Sequence, residues 1–348
     1  MKRVAIARPD DWHVHLRDDA ALASVAQFTA ARFGRAIVMP NLRQPVTTTT
    51  AALAYRERIR AALPAGSRFE PLMTLYLTEH TTPAEIDRAK ASGAVHGVKL
   101  YPAGATTHSD AGVADLQRTY ATLERMAQVG MPLLVHGESP QAHVDPFDRE
   151  AHFIDTVLAP LAERFATLKI VLEHITTRHA VRFVREARAG VAATITPQHL
   201  LHNRGALFAG GLRAHFYCLP LLTREEDRRE LVAAATGGEA RFFLGTDSAP
   251  HERGAKESAC GCAGMFTAHA AIELYAEAFD AVGRLDRLEG FASRFGADFY
   301  GLAPHRETLT LIAEDWAVPE SYQFGEGRLV PYRAGGTVRW RIATEAAK

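Results

Sequence analysis

Four histidines, one lysine and one aspartate stand where they could hold a small cluster of cations: His13 and His15 in DWHVHL, Lys99 in GVKLYP, His136 in LLVHGE, His174 in VLEHITT and Asp247 in FLGTDSAPH. Imidazole and carboxylate ligands suit zinc, cobalt and manganese alike, so spacing does not choose the metal. Residues two apart on a strand share a face, which turns His13 and His15 together while Val14 points the other way, toward a helical layer. If that strand continues, Arg17 joins the same face at i+4 and sets a cation beside the metals to receive a substrate anion. A lone His-x-His pair is weak evidence, because strand histidines also line barrels without binding anything. Joined to His136, His174 and Asp247 at three further strand ends, it reads as a metal centre.

Lys99 admits three readings. As an ammonium it repels metal ions and either forms a Schiff base with a carbonyl substrate or simply reaches solvent or pairs with an acid. As a neutral amine it can take up carbon dioxide to give a carbamate, an anion able to bridge two cations. Among four histidines and an aspartate, the carbamate accounts for the cluster best. Asp247 is either a turn or helix-capping residue or, from its strand-end position, a ligand that also handles protons. His199, in TITPQH, also ends a strand and is either structural or one step behind the ligands.

The elements that must position these residues follow from apolar runs bounded by turn signals, at 11–16, 35–40, 69–77, 95–100, 132–137, 169–174, 191–196 and 241–247. Helical periodicity lies between them, over 19–33, 51–63, 83–92, 112–128 and 177–189. Alternating βα units predict a parallel sheet, and eight of them predict a (β/α)8 TIM barrel, whose active face is where the strands end. No Gly-x-Gly-x-x-Gly or Walker-type loop supports an open nucleotide-binding sheet instead. Residues 1–348 are expected to form one domain, with a short C-terminal extension beyond residue 304 packing as a short helix and strands.

Composition agrees. With 348 residues, 47% of them hydrophobic and 23% charged, the chain can bury a large core. A net charge of zero gives no field that would recruit nucleic acid or anionic lipid, which leaves a small-molecule substrate. The start, MKRVAIARPDDWHVH, lacks the apolar core of a signal peptide, and cytoplasmic localisation is expected. Cys218, Cys260 and Cys262 are too few for a disulfide framework, and Cys260 and Cys262 have no second pair with which to build a structural zinc site.

The segments DDWHVHLRD, IVMPNLRQPVTT, GVKLYPAGATTHS, LLVHGE, VLEHITT, TPQHL, HFYCLPLL, FLGTDSAPH, KESACGCAGMF and FYGL, in that order, resemble the amidohydrolase superfamily and, within it, the short, freestanding dihydroorotases. The resemblance implies two zinc ions per subunit, one held by His13, His15, an N-carboxylated Lys99 and Asp247, the other by Lys99, His136 and His174. It assigns Arg17, Asn41 and His251 to the substrate carboxylate, backbone groups of Leu219 and Ala263 to the ring amide, and Thr106 and Thr107 to a loop that closes over the site. Asp247 becomes the proton-transfer residue, and the reaction becomes the reversible hydrolysis of dihydroorotate to N-carbamoyl-aspartate by a homodimer serving pyrimidine biosynthesis. A hydantoinase or allantoinase would share the metal ligands and differ at the carboxylate site. A Schiff-base aldolase using Lys99 and a catalytically dead scaffold are the readings from other classes.

Overall fold

The computed structural model describes residues 2–343. Strand β1 (Arg3–Ala7) precedes eight strands, β2 (Asp10–Val14), β3 (Arg35–Val38), β4 (Glu70–Tyr76), β5 (Val95–Leu100), β6 (Leu133–His136), β7 (Ile170–Glu173), β8 (Val191–Ile195) and β9 (Phe242–Leu244). These eight lie side by side in sequence order, every paired neighbour parallel. Each coincides with an apolar run of the sequence. Helices cross back between them, among them Asp19–Arg32, Thr49–Ala62, Pro83–Ala91, Arg178–Glu186 and Glu225–Thr236. Four start on a side chain that accepts a backbone N–H of the first turn, from Asp18, Thr48, Thr82 and Thr177. Such caps satisfy donors that a helix start leaves free.

Alternation along the strands divides the core in two. Val14, Val38, Val98, Val135 and Leu172 pack outward against the helices. Trp12, Ile37, Leu72, Leu134, Val171 and Phe243, one from each of six strands, meet inside the barrel. The Trp12 ring stacks on Tyr300 of the helix Phe295–Tyr300 at 4.6 Å, which closes the barrel floor. Both Trp12 and its neighbour His13 face inward because β2 carries a bulge against β3, its register shifting between Asp11 and Val14. A bulge beside a site re-aims a side chain in this way.

The first and last barrel strands meet at a seam held largely outside regular pairing. His13 O accepts from Asp247 N at 2.9 Å, and Ser248 O from His15 N at 3.1 Å. The buried Asp11 carboxylate accepts from Thr246 N (2.8 Å), Thr246 Oγ1 (2.6 Å) and His13 N (3.2 Å). Asp11→Ala is expected to cost about 2–4 kcal/mol of stability by orphaning these donors, read as a lower urea midpoint at unchanged slope.

The tail differs from expectation. Among the described residues beyond 304 there is no helix. Strand β10 (Thr308–Ile312) pairs antiparallel with β1 over five residues, and the short strands β11 (Trp316–Ala317), β12 (Tyr322–Phe324), β13 (Gly327–Leu329), β14 (Thr337–Val338) and β15 (Arg341–Ile342) follow. β15 adds to β10, β11 pairs β14, and β12 pairs β13. Glycine and proline break this stretch too often for a helix to nucleate. The extension is therefore shared between both ends of the chain. No helix among the described residues is long and apolar enough to cross a membrane.

Candidate metal centre

His13 faces into the barrel from β2, and His15 follows just past the strand. Lys99 is the penultimate residue of β5, and His136 ends β6. His174 stands immediately after β7, and Asp247 three residues after β9. All six converge on the carboxyl ends of the strands. His15 Nε2 lies 3.0 Å from Asp247 Oδ1, and His13 Nε2 lies 3.3 Å from the same oxygen and 3.2 Å from His15 Nε2. The His174 ring centroid is 5.0 Å from that of His13 and 4.8 Å from that of His136.

Two of these residues arrive by an unusual backbone. His174 and Asp247 have φ of +44° and +45°, in the left-handed region where side-chain-bearing residues are uncommon. Holding such a conformation costs of order 1–3 kcal/mol, and it concentrates where a site over-determines it. Arg17 is a third, with φ +59°. The strand ends at Val14, so continued alternation does not deliver Arg17 as expected; a turn does. Its Nε donates to Pro250 O at 2.8 Å, and its Nη2 lies 3.0 Å from His251 Nε2. Asn41 is buried and donates to Thr107 O at 3.3 Å, which brings the Thr106–Thr107 loop onto the same side of the site. Leu219 and Ala263 lie in the segments beside His251, whose Nε2 is 2.9 Å from Ala263 O. His199 is buried with both ring nitrogens engaged: Nδ1 meets Thr196 Oγ1 at 2.6 Å and Nε2 meets Pro220 O at 3.2 Å.

Two carboxylates were not foreseen. Glu173 ion-pairs with Lys99 Nζ through Oε2, which also lies 3.2 Å from His13 Nδ1. The signal for it is alternation, since Val171 faces the barrel interior and the residue two further must do so too. Glu138 Oε2 meets His136 Nε2 at 2.8 Å, and it too lies two residues along from an inward residue.

Burial and charge oppose one another here. Burial alone would raise Asp247, but the hydrogen bonds from His13 and His15 and the charge of His13 outweigh it and hold the carboxyl well below the ordinary range. Burial lowers His15 to about 4, which keeps it neutral. Burial also lowers Lys99, against the pull of Glu173.

The donor set fits divalent cations. Ligand atoms of His13, His15 and Asp247 lie within 4.8 Å of one another, as do those of His13, Glu173 and His174. His174 Nδ1 and Glu173 Oε1 are buried without a hydrogen-bond partner. Buried polar atoms are seldom left so unless something else occupies them.

Residues 10–311 match the family model described as "Amidohydrolase family". A dihydroorotase of Alkalilimnicola ehrlichii is 62% identical over 98% of this chain and 100% of its own length. Among solved structures, a dihydroorotase of Campylobacter jejuni superposes with a TM-score of 0.90 at 34% identity, covering 98% of each chain. The dihydroorotase of Saccharomyces cerevisiae, solved in complex with 5-fluoroorotic acid, gives 0.92 at 30% identity over 99% of each.

Proposed function

Since the chain belongs to the amidohydrolase family and, within it, to the dihydroorotases, we propose that it opens and closes the ring of dihydroorotate with two zinc ions at the barrel mouth. His13, His15, an N-carboxylated Lys99 and Asp247 hold one ion, and Lys99, His136 and His174 the other. The observation that carries this reading is the convergence of His13, His15 and Asp247 within 3.3 Å beside the Arg17–His251 pair. Two such ions supply Lewis acidity toward a carbonyl and lower the pKa of water toward neutrality.

The protein's own groups do the rest. Asp247, ionised at neutral pH, accepts a proton from the attacking water and delivers it to the ring nitrogen as the carbon–nitrogen bond breaks, giving N-carbamoyl-aspartate. The same shuttle run backwards closes the ring. Arg17, Asn41 and His251 receive the substrate carboxylate, and backbone groups of Leu219 and Ala263 receive the ring amide. Thr106 and Thr107 close above them. The orotic-acid analogue bound by the yeast relative is a carboxylated ring, which supports a carboxylate site. The enzyme is expected to work in the cytoplasm as a homodimer, with residues 1–348 as one domain.

The test is ring opening by zinc-reconstituted protein. Turnover of dihydroorotate well above that of hydantoin is expected, and preference for hydantoin would overturn the assignment. Arg17→Lys keeps the charge but loses the planar fork, so it is expected to raise KM roughly tenfold or more, the worth of one charge-assisted hydrogen bond. Unchanged kinetics in that variant would remove Arg17 from the carboxylate site.

A further inference from the structure

Lys256, at the end of the short helix Arg253–Lys256, carries its ammonium into the interior with only 4% of the residue exposed. Among the described residues no carboxylate lies against it. Instead Nζ donates to three backbone carbonyls, Tyr217 O at 2.8 Å, Cys262 O at 2.8 Å and Gly264 O at 2.7 Å. Three bonds exhaust the donors of an ammonium, so none is left for a substrate. Burying a charge against neutral partners alone is costly. What the cost secures is the arrangement of those carbonyls.

The carbonyls belong to two segments far apart in sequence. One runs through Tyr217, Cys218, Leu219 and Pro220, the other from Cys262 to Gly264. Gly264 N donates to Tyr217 O at 3.0 Å, the same oxygen that Lys256 holds. Gly264 has φ +146°, and a Cβ there would stand 2.6 Å from Ala249 O, so the second segment is pressed against the loop after β9. His199 meets Pro220 O on the first segment, and His251 meets Ala263 O on the second. Between these anchors lie Leu219 and Ala263.

Peptide geometry turns the anchors into aim. In a trans peptide the C=O and the following N–H point in opposite directions. Fixing Cys262 O on Lys256 therefore points the Ala263 N–H away from the lysine, and that N–H donates to no other group among the described residues. We propose that Lys256 is a positioning residue for substrate recognition: by gathering the carbonyls of Tyr217, Cys262 and Gly264 it sets the direction of the Ala263 N–H and its spacing from the segment that carries Leu219, the two residues that receive the ring amide. The role rests on the assignment of those two residues made above.

The test compares the zinc-loaded parent with Lys256→Met and Lys256→Gln. Lys256→Met is expected to raise KM for dihydroorotate about tenfold, the worth of one or two misaligned hydrogen bonds, while kcat stays within about threefold. Bound zinc should be unchanged, and Lys256→Gln, which keeps an N–H donor, should fall between. Amide exchange over 217–219 and 262–264, a measurement that needs no substrate, should speed up in Lys256→Met. A parental KM in a cooperatively melting Lys256→Met would overturn the proposal, as would an equal loss of kcat accompanied by loss of zinc. If Lys256→Met does not melt cooperatively, the KM of Lys256→Gln decides on the same terms. Failure of the parent itself to turn over dihydroorotate would refute the functional reading, and the exchange rates would still decide whether Lys256 holds the two segments.

Discussion

A Lys99→Ala chain is expected to emerge from purification with most of its metal gone and to open dihydroorotate at least roughly 10³-fold more slowly, because nucleophile activation and carbonyl polarisation fail together. Lys99 is the one proposed ligand shared by both ions, and it is wholly buried. Its removal leaves the Glu173 carboxylate facing His13 with no lysine between the strands. Alanine also opens a space that a small carboxylate could fill, so added acetate should restore part of the metal and part of the turnover. Metal analysis on freshly purified protein, with and without bicarbonate during reconstitution, reads the effect directly. Parental metal content and turnover in Lys99→Ala would end the carbamate reading and return the lysine to its ion pair with Glu173.

Asp247→Asn separates holding from proton transfer. The amide keeps the volume and an oxygen facing His13 and His15, but it cannot take up a proton at neutral pH. The expected loss in kcat is about 10²–10⁴-fold, the usual worth of a positioned general base. KM should change far less. The parent should lose activity as falling pH protonates the carboxylate, and the variant should lack that limb of its pH–rate profile. Near-parental kcat in a metal-loaded Asp247→Asn would refute the shuttle.

Much of this was legible in the sequence, for a physical reason. A strand buried on both faces is mostly apolar, so the barrel strands read as short apolar runs, and polar residues toward their ends stand out. Turns and long-range closure were not legible. Alternation from Val171 points Glu173 inward and would send His174 to the helical layer; only φ +44° returns it to the site. No pattern of side chains announces a left-handed histidine. The outer strand β1 was missed because it pairs with β10, some three hundred residues away, and half-exposed strands of five residues carry little signal. Likewise, nothing about Lys256 in HERGAKES distinguishes a lysine caged by carbonyls from one in water.

The seam between β2 and β9 has a consequence for the order in which this protein can come into being. His15 and Asp247, 232 residues apart, face each other only where the first and last staves of the barrel are drawn together. A ribosome will have released five of the six proposed ligands before the sixth is made. A nascent or clipped chain ending short of Asp247 carries the histidines and the lysine but lacks the sixth proposed ligand. An ion shared by His15 and Asp247 would then report that the ring has closed.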